Sequence, residues 1–443
     1  MLARIGIFVV FLAQLPGIAQ VAPGATGGTN LGGDTEMQTP PPASGDRYST
    51  EIGSEKQSNY FLAGVTANTA YVSNLFPSQT SAPVSDTTIS ILPNFQLTRS
   101  TPRQQDSITY SPSFVFYEPT TVLDSINQAA STDFRYRLSP AWSIGLQDAF
   151  YRTSNVFDQS STYTAVSVSG STENPIATVI APFAEQLTNT ARADLSYQFG
   201  RDGMIGAGGI YSITNFPGLS PSAGISNSKG IGVNAFYNRR LARTQYLGVT
   251  YQFTRTVASV SSQQATTTTQ SMLPFYSYYF KPTISLSVSG GVERVDVILP
   301  QAATFSSWSP SGVVSLGWQT ERFNVAASYT RVVTSGQGLF GAFNASGVGA
   351  TGGWKLARTW DVALSATYIT SSNLTPQLSL YSGGTTISGQ ASVHHDFGER
   401  FAMDFGYDRL HQNYPGVTIV TESPDCNQEY VDVRYEFRKP LGR

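Results

Sequence analysis

The stretch WKLARTW, Trp354 to Trp360, sets two of the chain's five tryptophans on either side of a short basic turn. Two kinds of hairpin carry that pattern. One packs its tip in a soluble core; the other sends two strands out of a membrane side by side, each with an indole at the headgroups. The neighbouring segments separate the two. In RFAMDFGYD, Phe401, Met403, Phe405 and Tyr407 alternate with Asp404 and Asp408. In ARADLSYQF, Ala191, Ala193, Leu195, Tyr197 and Phe199 alternate with Arg192, Asp194, Ser196 and Gln198. In TTISILPNFQLTR, Ile89, Ile91, Pro93, Phe95 and Leu97 oppose Ser90, Asn94, Gln96 and Thr98. A period of two marks a strand with one apolar and one polar face. Helical periodicity is nearly absent, so the class is all-β.

The chain's 443 residues would make two or three soluble domains, but the composition fits such domains poorly. Charged residues are 13% of the total, about half the usual share. Mean hydropathy is −0.13, and no internal run approaches the roughly 18 apolar residues of a helical membrane span. A net charge of −2 leaves no footprint for nucleic acid. The single cysteine, Cys426, rules out an internal disulfide framework.

The N-terminus MLARIGIFVVFLAQLPGIAQ has a cation at Arg4, an apolar stretch from Ile5 to Leu15, a break at Pro16 and small residues at Gly17 and Ala19. It reads as a secretory signal peptide over 1–19. Residues 20–56, rich in Gly, Pro, Ser and Thr, bury too little to offset chain entropy and read as a disordered periplasmic lead-in. The barrel is expected over 57–438, with a short periplasmic tail at 439–443.

The connections fall into two sets that take turns along the chain. Short, often basic links include RLSPAW, FGRDGM, FKPT, WQTERF, WKLARTW and DFGERF. Longer, polar links include SSQQATTTT, TSGQGLFGAFN and LHQNYPGVTIVTESPDCNQ, and the longest runs from about Thr153 to Leu187. A soluble sandwich has no reason to sort loops by parity, whereas a transmembrane barrel keeps tight turns on the periplasmic side and long loops outside. Alternating segments number about 18, with 16 as the alternative. The expected fold is thus a transmembrane antiparallel up-and-down β-barrel.

The opening pair of indoles then has a place. Large aromatic residues flank nearly every short turn: Tyr136, Trp142, Phe199, Tyr237, Tyr246, Phe280, Trp318, Phe323, Trp354, Trp360, Phe397, Phe401 and Phe437. An amphipathic ring gains most at the headgroup boundary, so this row reads as a girdle. A weaker row lies one strand-length away, at Tyr71, Phe116, Phe150, Tyr211, Trp308, Tyr329, Tyr368 and Tyr407. Asp148 conflicts, because it falls on the lipid-facing parity, where a charge is costly. A β-bulge would move it inward.

A closed sheet of this size, tilted ~40°, has a backbone diameter of roughly 35 Å, too wide for side chains to fill. The inward parity reads as polar throughout. Near the periplasmic end it carries both signs, in Asp133, Arg135, Arg137, Arg192, Asp194, Asp396, Asp404, Asp432, Arg434 and Glu436. Mixed charges give no strong ion preference; the same groups can also pair and stiffen the wall. The long third connection contains ENPIATVIAPFAEQL, Glu173 to Leu187, an apolar run that is odd in solvent. Folding inward would hide it and narrow the pore; capping the mouth or meeting a neighbouring copy would also hide it.

Together the signal peptide, alternating strands, sorted connections and girdles resemble a Gram-negative outer-membrane β-barrel over residues 57–437. The strand count and long third loop are similar to porin-type diffusion channels. The resemblance implies a channel for small hydrophilic solutes, lodged in outer-membrane lipid, with association between copies left open. It departs at the end, where EYVDVRYEF is followed by RKPLGR and the chain does not stop at an aromatic.

Catalytic chemistry is thin. His394 and His395 adjoin Asp396, but adjacent residues in a strand point to opposite faces, so the run is a poor ligand set. His395 reads as an interfacial side chain, and His411 lies at the outer rim. No cofactor, metal or enzymatic role is expected, and Cys426 falls in the last long loop without a partner. The alternatives to a diffusion channel are a polymer-export conduit, which calls for a lumen of one charge sign, and a structural or adhesive barrel.

Overall fold

The computed structural model describes residues 59–73, 85–157, 184–299, 304–374, 383–415 and 425–441, save 102, 119, 201, 220–223, 261–262, 282, 321 and 337. The expected signal peptide and lead-in lie outside these residues, as does most of the long third connection.

The described residues form one antiparallel sheet of 18 strands in which each strand pairs with the next and β1 meets both β2 and β18, closing a barrel. The strands are β1 (Asn59–Ser73), β2 (Asp86–Ser100), β3 (Gln104–Glu118), β4 (Ser125–Arg137), β5 (Trp142–Thr153), β6 (Gln186–Phe199), β7 (Gly203–Asn215), β8 (Asn227–Ala242) and β9 (Gln245–Val260). They continue as β10 (Gln263–Lys281), β11 (Ile284–Ile298), β12 (Thr304–Gln319), β13 (Phe323–Gly336), β14 (Leu339–Ala357), β15 (Trp360–Asn373), β16 (Gly383–Asp396), β17 (Phe401–Asn413) and β18 (Asp425–Pro440). A three-residue 3-10 turn, Thr121–Leu123, joins β3 to β4.

The period-two pattern becomes two surfaces. Along β12, Trp308, Val314, Leu316 and Trp318 are exposed, while Ser309, Ser311, Val313 and Ser315 between them are buried. The convex side of a curved sheet splays its side chains and the concave side crowds them, so the exposed apolar parity is the outside. That parity carries Leu97, Ile108, Leu146, Leu195, Val233, Leu247, Val288, Leu364 and Phe405, among others. A belt of this kind belongs in hydrocarbon, and a closed ring is the way a sheet can enter it without unpaired edges.

The short turns are tight for a recurring reason. A hydroxyl side chain three residues ahead of the next strand's first residue accepts that residue's N–H: Thr101 from Gln104 at 3.0 Å, Ser139 from Trp142 at 3.2 Å and Thr320 from Phe323 at 3.0 Å. Gly200, at φ +65°, takes a left-handed position in the turn FGRDGM.

Two connections expected to be long are short. SSQQATTTT continues as the start of β10, and TSGQGLFGAFN is the tip of the β13–β14 hairpin. Runs of β-branched Thr favour strand geometry, so the ladder extends beyond the hydrocarbon zone. Cys426 likewise falls inside β18 rather than in the last loop, half-buried beside Val72, Val115 and Tyr117.

The β1–β2 junction closes the ring. Its one registered pair is Asn59↔Arg99. The same alignment persists above it, where Thr88 Oγ1 donates to the Ala70 carbonyl at 3.4 Å. Beside Asn59, its Oδ1 also accepts the Ser100 N–H at 2.7 Å.

Candidate functional site: the lumen wall and its mouth

All ten charged residues anticipated for the interior lie on the inward parity of β4, β6 and β16–β18, and the structure sorts them. Arg135, Arg137 and Arg192 share one arc with Asp133 and Asp194, and Asp133 pairs with Arg135 at 3.6 Å. Across β1–β3 lies a mostly acidic arc of Asp396, Asp404, Asp408, Asp432 and Glu436, with Arg434 bound to Glu436 at 3.4 Å.

His394 organises the acidic arc. Its Nδ1 lies 2.7 Å from Asp404 Oδ1 and its Nε2 lies 3.2 Å from Asp396 Oδ1. His394 and its immediate neighbours do differ in parity, but residue 396 returns to the same face and hairpin register brings Asp404 opposite, which local parity does not reveal. Asp404 in turn faces Asp432 across β17–β18, and Asn68 Nδ2 donates to Asp432 Oδ1 at 2.8 Å. Asp432 is fully buried, so it shapes the wall, whereas Asp396 keeps a half-exposed side chain.

Between the arcs, the inward wall of β10–β12 is lined by Ser271, Ser277, Ser285, Ser287, Ser309 and Ser311. The inward face is nevertheless not polar throughout, contrary to the expectation. Met204, Phe236, Tyr246 and Tyr279 form a buried cluster near the periplasmic end of β7–β10. Tyr246 is therefore not in the girdle: it faces inward, edge-on to Tyr279 with ring centroids 5.9 Å apart. Glycines make space for inward rings here, since a Cβ at Gly206 would strike Phe236 and one at Gly248 would strike the neighbouring inward Phe275. The parity of a Tyr beside a turn depends on where the first ladder pair forms, which local sequence does not specify.

The other girdle residues stand on the outer face at the turns. Trp142 packs on Tyr197 at 4.7 Å, Phe199 on Tyr237 at 6.0 Å and Trp318 on Phe323 at 5.1 Å. His395 stacks on Trp360 at 4.1 Å and its Nδ1 lies 3.0 Å from the Thr359 carbonyl. Tyr136, Phe280, Trp354, Phe397, Phe401 and Phe437 continue the row on the same side. Asp148 remains on the outer face: the register through Thr132↔Asp148 and Asp148↔Ala191 is unbroken, so no bulge turns it inward.

The mouth contains a feature that sequence reading missed. β13 pairs with β12 only up to Arg331↔Gly312, while β13 and β14 stay paired up to Gly336↔Leu339. Their shared tip leaves the wall and crosses inward to Ser226, just ahead of β8, whose N–H donates to the Gly338 carbonyl at 3.0 Å. Phe340 and Ala342 are buried there against Ala258, Ala265, Val295, Val297 and Leu299, all on the inward parity of β9–β11 or its continuation. Glu293 Oε2 accepts the Val333 N–H at 3.1 Å. The alternation of polar and apolar residues breaks over GQGLFGAFN, and that break was the available signal.

No protein-family model matches the chain, and no curated protein matches it. Among solved structures, it is similar to Pseudomonas aeruginosa OccK2 (OpdF), with 10% identity, a TM-score of 0.45, and coverage of 86% of this chain and 98% of that one. It is also similar to Acinetobacter baumannii OccAB4, with 9% identity, a TM-score of 0.41, and coverage of 86% and 99%. For the FrpB iron transporter from Neisseria meningitidis the figures are 11% identity, a TM-score of 0.43, and coverage of 81% and 62%. By their own geometry, the described residues form a closed 18-stranded transmembrane β-barrel.

Proposed function

We propose that the chain is an outer-membrane channel for passive diffusion of small hydrophilic solutes, reached after export directed by residues 1–19. The observation that carries this reading is the pairing of an apolar outer belt with a hydroxyl- and charge-lined inner wall in one closed ring. A ring of 18 tilted strands encloses roughly 35 Å between backbones, more than its own side chains occupy. The inward β13–β14 tip narrows the extracellular mouth. The β5–β6 connection, long and partly apolar, enters the same reading as a second narrowing element. Catalysis has no part in the proposal, and neither does a bound cofactor.

A polymer-export conduit is the less favoured reading. It calls for a smooth lumen of one charge sign, and this wall divides into an arc of mixed charge and a mostly acidic one. The experiment is conductance of the purified, refolded full chain in planar bilayers. Steady steps scaling with salt concentration support the channel, and silence across voltages rejects it.

A further inference from the structure

β12 is paired with β11 from Thr304 to Trp318, yet with β13 only from Gly312 to Gln319. Among the described strands, none borders its other edge over residues 304–311. Extending the register Gly312↔Arg331 upward would set Val332 against Ser311, Thr334 against Ser309 and Gly336 against Ser307. The hairpin tip therefore has a vacant seat in the wall, in register, besides the one it occupies across the mouth.

The occupied seat combines hydrogen bonds with an apolar pocket. Glu293 captures the Val333 N–H, Gly338 accepts one hydrogen bond from Ser226, and Phe340 and Ala342 fill the apolar pocket on β9–β11. Pro310, opposite Val333 in the extended register, brings no N–H to a ladder, which leaves room for the carboxylate to compete. Moving between seats breaks no pairing inside the flap: the β13–β14 ladder travels intact, and β14 stays anchored to β15 as far as Phe343↔Asn373. Hydrogen bonds lost at the inward seat are replaced by ladder bonds to β12 at the other, and the apolar pocket weights the inward state.

We propose that the β13–β14 tip is a gate that swings between the inward seat and the vacant edge of β12, where residues 332–336 zip into the wall and widen the mouth. This inference rests on the channel reading, and its test separates the two.

The probe is the full chain with Cys426→Ser, carrying Ser309→Cys and Thr334→Cys. In the inward seat Ser309 is registered with Glu293 and Thr334 with Phe343, whereas in the outward seat the two oppose each other directly, the arrangement a disulfide needs. Oxidation is expected to form the intramolecular cross-link, read by mass spectrometry, and to hold the channel at a wider conductance level that dithiothreitol abolishes. Glu293→Ala is expected to raise occupancy of that level about tenfold, the factor one charge-assisted hydrogen bond commands. Phe340→Ser, which weakens the apolar seat, should act in the same direction. Absence of the cross-link under oxidising conditions, in protein with normal heat-modifiable migration, overturns the gate. So does a single unchanged conductance level in all variants. A cross-link formed in a barrel that never conducts leaves the swinging tip and rejects the channel.

Discussion

Asp148, on the lipid-facing side of β5, accepts a hydrogen bond from Asn189 Nδ2 on β6 at 3.0 Å. Thr132 is its partner on β4, so three polar side chains interrupt the apolar belt at neighbouring positions. The pairing lowers the cost of keeping a carboxylate at this depth without removing it.

Replacing the pair together, Asp148→Leu with Asn189→Leu, is expected to stabilise the barrel in vesicles by about 1 kcal/mol, because an acidic group is the milder of the charges to place against lipid. Urea unfolding followed by tryptophan fluorescence reads the change. A loss of stability would mean that this patch meets something polar, such as another copy of the chain.

Gly406 lies beneath Tyr430, whose phenol occupies the place a Cβ would need. Gly406→Val forces the ring or the β17–β18 ladder aside and should cost about 1–3 kcal/mol, the range for overpacking. Heat-modifiable migration on gels should drop to a lower transition temperature. A variant as stable as the parent would show that Tyr430 has another place to go.

Asp404 and Asp432 face each other directly, and Asp432 is fully buried. Asp432→Asn removes an ionisable group buried beside Asp404 while keeping an oxygen for Asn68, and should stabilise the barrel by about 1 kcal/mol. Its burial predicts no change in ion selectivity. Asp396→Asn, at a half-exposed inward side chain, should shift the reversal potential in a salt gradient toward anions. Equal effects of the two substitutions on selectivity would contradict this division.

The β1–β2 junction should exchange its backbone amides ahead of β1–β18, since Asn59↔Arg99 is its sole registered pair whereas β1–β18 is laddered from Tyr60↔Pro440 to Ser73↔Asn427. In hydrogen exchange on detergent-solubilised protein, amides of β1 directed toward β2 are expected to exchange well ahead of those directed toward β18. Uniform protection along β1 would show that the ladder closes in solution.

Most of the ring was legible because its signal is local. A strand between lipid and water must alternate, and segments such as ARADLSYQF and RFAMDFGYD do so residue by residue. Strand ends were less legible where the strand outruns the membrane: the Thr run at the start of β10 and the glycine-rich start of β14 carry a loop's composition in a strand's geometry. His394 was underread because its partners are one cross-strand neighbour and one residue two positions on, and only hairpin register brings both to one point. Tyr246 was placed on the wrong face, since parity at a turn shifts with a single residue of register.

The alternation of greasy and hydrophilic side chains, together with aromatic residues flanking short basic turns, was enough by itself to determine a closed sheet with its apolar side outward. Each of those features depends on residues within one strand or one hairpin. What the interior became was decided by tertiary structure alone: charges sorted into two arcs, an aromatic cluster seated over glycines, and a hairpin tip drawn from the wall toward Glu293. Those outcomes arise from strands distant in sequence meeting across the barrel. The distances involved are set by closure of the whole ring, which no local pattern encodes.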